Sequence, residues 1–111
     1  MRLFWTTAIL FVFHGATVAH IVDPRCMKSV DLFQPREGVI SSAKIAEAAA
    51  LIYLNPIYGK RHIRGELPLN ATLRDGIWTV TGTLAPFYIG GTAEIRLCQR
   101  NGTVLSVIHG K

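Results

Sequence analysis

The stretch from Leu67 to Leu84 constrains the fold more than any other part of this chain. Leu67, Leu69, Ala71 and Leu73 alternate with Pro68, Asn70, Thr72 and Arg74. Beyond Asp75-Gly76, Trp78, Val80 and Leu84 alternate with Ile77, Thr79, Thr81 and Thr83. An Asp-Gly pair suits a two-residue hairpin turn, whose central residues need positive φ. That turn pairs Arg74 with Ile77, Leu73 with Trp78, Ala71 with Val80 and Leu67 with Leu84. A slip of one residue would send every apolar partner to the wrong face. Turn chemistry and side-chain period therefore demand the same hairpin.

A second hairpin follows, with two registers in competition. Ala93, Ile95 and Leu97 alternate with Glu94, Arg96 and Cys98, the turn lies at Arg100-Asn101-Gly102, and residues 103–109 run back. A tight Asn-Gly turn sets Leu97 opposite Ser106 and Arg96 beside Val107. A three-residue loop with Gly102 left-handed sets Leu97 opposite Leu105, Ile95 opposite Val107 and Ala93 opposite His109. The second keeps the apolar set together and is preferred. It puts Cys98 on the outer face.

Ahead of the strands, Ser41-Ser42 offers an N-cap, and the alanine-rich run from Ala43 to Tyr53 predicts a helix, ended by Asn55-Pro56. Ile45, Ala48, Ala49, Ile52 and Tyr53 share one face. With few polar positions around it, most of the helix is expected to be covered by protein. Helix first, then a four-stranded antiparallel meander with one apolar face, is an α+β arrangement in a single small domain. Residues 20–40, punctuated by Pro24 and Pro35, read as irregular, with at most a short helical turn or strand at Ser29–Phe33.

The N-terminus has its own logic. Met1-Arg2 precedes the apolar run Leu3–Phe13, and Ala16-Thr17-Val18-Ala19 supplies small residues in the positions a signal peptidase reads. Residues 1–19 are therefore expected to be a signal peptide cleaved after Ala19, giving a periplasmic or secreted protein without membrane attachment; the alternative is an uncleaved anchor. The domain proper then spans residues 41–111. In an exported protein Cys26 and Cys98, lacking a CxxC partner or a histidine at metal spacing, are expected to form a disulfide rather than two free thiols. Closing so long a loop is worth about 4 kcal/mol in chain-entropy terms.

With these elements placed, the segment from about Ser41 to Lys111 resembles the immunity proteins with a nuclear-transport-factor-2-like, cone-shaped fold. The resemblance rests on Lys44-Ile45-Ala46-Glu47-Ala48, Pro56-Ile57-Tyr58-Gly59, Trp78-Thr79-Val80-Thr81-Gly82-Thr83-Leu84, Gly90-Gly91-Thr92-Ala93-Glu94-Ile95 and the closing His109-Gly110-Lys111. It implies a bacterial protein of a polymorphic toxin system that neutralises a cognate toxin, and it brings no catalytic residues with it.

The side chains fit a binder better than an enzyme. Inward strand positions are Leu, Ala, Val, Trp and Ile, and Asp75 is explained by its turn. His109 alone falls on the inward face, with no second group at a defined spacing to orient it. Tyr53, Tyr58 and Trp78 read as core. No catalytic residue, metal ligand or cofactor is expected. Lys60-Arg61-His62-Ile63-Arg64 forms a basic cluster that reads either as a solvated loop or as a steering patch toward an acidic protein surface. Nucleic acid is a poor partner, because no aromatic platform is interleaved with the charges. The connection Ala85–Gly91 holds Phe87, Tyr88 and Ile89, large apolar groups that strand alternation does not require. They are expected either to meet the partner, with Lys60, Arg61 and Arg64 adding electrostatic steering toward it, or to cover the open end of the sheet. The expected function is non-catalytic toxin binding. The alternatives are an exported small-molecule binder or enzyme of the same fold, and a structural accessory of the cell envelope.

Overall fold

The computed structural model describes residues 8–12, 22–27 and 35–111. Apart from residues 8–12, the expected signal peptide lies outside them, as do Ala19 and Ser29–Phe33. A 3-10 turn at Pro24–Met27 comes first. Helices α1 (Ala43–Tyr58) and α2 (Lys60–Arg64) follow, then strands β1 (Asn70–Arg74), β2 (Ile77–Thr81), β3 (Ala93–Cys98) and β4 (Val104–His109). The strands form one antiparallel sheet in the order β1-β2-β3-β4, the expected meander. No helix among the described residues is long and apolar enough to cross a membrane.

The Ser42 hydroxyl accepts the Ile45 N–H at 3.3 Å and so caps α1, as expected from the serine pair. The helix does not stop at Asn55-Pro56. Pro56 lies inside its last turn, and the helix closes at Gly59, whose N–H donates to the Asn55 carbonyl at 2.8 Å. The ring removes a single intrahelical bond, to the carbonyl of Ile52 on the exposed side of the helix.

The buried stripe of α1 also differs from the expectation. Ala46, Ala50 and Leu54 are fully buried, whereas Ile45, Ile52 and Tyr53 are exposed. Four short strands cover only a narrow strip of helix, and two alanines one turn apart let the backbone approach the sheet closely. The large side chains are left outside. Leu54, Ile63, Val80, Ile95 and Leu97 form the centre of the core with Trp78 and Ala93, each large aliphatic contributing roughly 1.5–3 kcal/mol by burial. Trp78 is buried as expected, and its indole N–H donates to the Ile40 carbonyl at 2.8 Å.

The first hairpin has the expected register through Arg74↔Ile77, Leu73↔Trp78 and Ala71↔Val80. It is shorter than expected, for the ladder ends at Asn70↔Thr81 and Leu67 does not pair with Leu84. Beyond that point Thr83 turns to the segment after α2: its N–H donates to the Glu66 carbonyl and its hydroxyl to that of Pro68. The second hairpin keeps Ala93↔His109 and Ile95↔Val107, with Gly102 at φ 73° as the three-residue loop requires. A bulge then sets Leu97 opposite Val104 instead of Leu105. The extra residue, Leu105, offers its carbonyl to the Arg25 guanidinium at 3.5 Å.

Cys26 and Cys98 are joined in a disulfide with Cα atoms 5.5 Å apart. Cys98 lies on the outer face of β3 but is fully buried, because the Cys26 segment covers it. That segment is also held by Asn101, whose amide donates to the Cys26 carbonyl at 3.0 Å.

Candidate functional site

At the opposite end of the sheet, where β3 begins and β4 ends, three polar side chains converge. Lys60–Arg64 is no solvated loop: it is the helix α2, anchored by buried Ile63. One turn of chain separates His62 from Glu66, so the two side chains face each other, His62 Nε2 lying 3.1 Å from Glu66 Oε2. His109, at the end of β4, brings its Nε2 to 3.0 Å from that of His62 and 3.4 Å from Glu66 Oε2. The expectation that no partner orients His109 is therefore corrected. Tyr58, expected in the core, is half-buried and packs its ring against His109 with centroids 5.2 Å apart.

Each member is held from behind. Glu66 is only 8% exposed, and its Oε1 accepts the buried Ala93 N–H at 2.7 Å. His109 Nδ1 lies 2.7 Å from the Gly110 carbonyl. Gly110 is in turn pressed backbone to backbone against Gly91, where a Cβ on either residue would collide with the other's main chain. The two glycines thereby fix the carbonyl that orients the imidazole.

All three side chains border an open cavity of about 370 Å³ that Thr83, Leu84, Tyr88 and Ile89 also line. The loop expected to bind a partner or to cover the sheet is thus next to the polar cluster. Phe87 and Ile89 are fully exposed and Tyr88 is 71% exposed. Phe87 has a positive φ of 68°, a backbone state uncommon for a bulky residue. Lys60 and Arg64 do not join the loop at this cavity. They border a separate depression with Leu51, Asn55 and Leu67 on another side of α2.

The sequence reading missed Glu66 and the role of His62. Their spacing of four residues was the available signal, hidden because the basic cluster reads as a unit ending at Arg64.

Comparison with known proteins agrees with this architecture. The chain is 30% identical over 76 residues to "Uncharacterized protein YbbC" of Escherichia coli (strain K12), an alignment covering 68% of this chain and 62% of that protein. No solved structure matches. The family of NTF2 fold immunity proteins matches residues 43–111, from the first residue of α1 through all four strands and the whole polar cluster. The chain belongs to the NTF2 fold immunity protein family.

Proposed function

We propose that this protein neutralises a cognate bacterial toxin by binding it directly, without catalysis, after export from the cytoplasm. Membership of an immunity family carries the general role. The contact surface rests on one observation: Phe87, Tyr88 and Ile89 are three consecutive large apolar side chains held out into solvent on a short loop. Rigid aromatic groups of this kind dominate binding hot spots, each costing roughly 2 kcal/mol or more when truncated. Lys60, Arg61 and Arg64 add positive charge on α2, which acts mainly on the rate of encounter with an acidic partner face. Export rests on the signal-peptide pattern of residues 1–19 and agrees with the disulfide.

The test is partner affinity alongside melting temperature for Phe87→Ala and Tyr88→Ala. The proposal expects affinity to fall at least about tenfold while thermal stability stays within a degree or two. Unchanged affinity in both variants would reject this contact surface. Mass spectrometry of the exported protein checks the rest, with a chain beginning at His20 as the expected result.

A second reading, a small-molecule binder or enzyme of the same fold, is favoured by the cavity with its three converging polar groups. His109→Ala separates the two. Folded protein that binds toxin normally yet no longer protects would establish the enzyme.

A further inference from the structure

We propose that His62, Glu66 and His109 form a binding site for a divalent transition metal ion of the zinc class, with a fourth coordination position open to the cavity.

The argument begins with proton placement. A carbonyl oxygen can only accept, so the 2.7 Å contact with Gly110 assigns a proton to His109 Nδ1, and in the neutral ring this leaves the Nε2 lone pair facing the cluster. A proton on His62 Nε2 can serve the two edges that meet there, at 3.0 and 3.1 Å. The remaining edge, His109 Nε2 to Glu66 Oε2 at 3.4 Å, still sets a lone pair against a carboxylate oxygen. One cation at the centre of the triangle answers all three edges at once.

The dimensions agree. Bonds of about 2.0–2.1 Å in tetrahedral zinc imply ligand–ligand edges of about 3.3–3.4 Å. The three observed edges lie within a few tenths of an ångström of that, and all three ligand atoms fall within 4.8 Å of one another. Two imidazoles and one carboxylate suit zinc and its neighbours, whereas calcium and magnesium take oxygen shells. The supports behind the ligands are those a metal site needs: the Gly110 carbonyl on His109 and the Ala93 N–H on Glu66, both main-chain groups tied to the sheet. Three protein ligands leave one position, which the adjoining cavity supplies with water.

The test uses the full chain without a polyhistidine tag, freed of metal by a chelator and titrated with Co²⁺. The expected result is a tetrahedral visible spectrum that saturates at one equivalent and is bleached by Zn²⁺, with a melting temperature raised by Zn²⁺ and restored by chelator. His62→Ala removes an exposed ring, and Glu66→Gln keeps an oxygen for the Ala93 N–H. Each is expected to abolish the tetrahedral spectrum and weaken zinc binding at least about tenfold. The control His14→Ala/His20→Ala is expected to titrate like the parent. A parent chain without a tetrahedral spectrum overturns the site, as does undiminished binding in both cluster variants. Because no partner enters the measurement, failure here leaves the toxin-binding proposal standing.

Discussion

The two ends of the sheet are secured in different ways. At the Cys98 end a covalent bond ties the N-terminal segment over β3, Asn101 and Arg25 reinforce it, and Trp78 reaches across to Ile40. At the Ala93 end, polar side chains do the fastening, with Glu66 bridging the segment after α2 to β3 and meeting His109 of β4. A disulfide stabilises chiefly by restricting the unfolded chain. A buried hydrogen-bonded carboxylate acts on the folded state, and matters most through the orphaned group its loss would leave. One end is therefore closed and committed, while the other is open and polar.

The strongest way to break this contrast is to remove the covalent end. Replacing both Cys26 and Cys98 by serine should lower unfolding free energy by about 4 kcal/mol in denaturant titrations, while the geometry of the polar end survives. A smaller loss, about 1–3 kcal/mol, is expected for Glu66→Ala, which strands the buried Ala93 N–H. If that loss exceeds the disulfide's, the assignment of the two ends is reversed. Trp78→Phe should cost about 1 kcal/mol beyond any change in packing, by releasing the Ile40 carbonyl.

Smallest of all is Asp23→Asn. The side-chain hydrogen bond from Arg25, followed by the Arg25 backbone N–H, holds the Asp23 carboxyl below the usual carboxylate range. A depressed carboxyl stabilises the fold above its unfolded value and loses that contribution as pH falls through the folded one. Because the Arg25 side chain is 63% exposed, solvent screening weakens the pair, and the change in melting temperature between parent and variant at neutral pH should be small.

The same contrast explains what could be read from the residues. The first hairpin was legible because its turn and its alternation are both local and agree. The bulge at Leu105 was not, since its carbonyl meets Arg25, eighty residues away in the chain. Alanine content announced α1, yet its buried stripe depended on how little of the helix a four-stranded sheet can cover. Of the candidate site, the apolar loop was visible because Phe87, Tyr88 and Ile89 had no place in a strand pattern. The polar cluster needed the closure of the sheet to bring His109 to His62 across 47 positions. Only the spacing of His62 and Glu66 was local, and a four-residue interval between two polar residues is too common to stand out.

Trp78 turns the covalent end into something that can be watched. It is the one tryptophan among the described residues, buried, and hydrogen-bonded to the segment that leads back toward Cys26. An indole in that setting emits at short wavelength and shifts to the red when water reaches it. Reducing the disulfide under native conditions should therefore change its fluorescence wherever the covering segment loosens, and leave it unchanged wherever the segment stays seated. Trp78 is thus an optical gauge of whether the covering segment stays seated once the disulfide is gone.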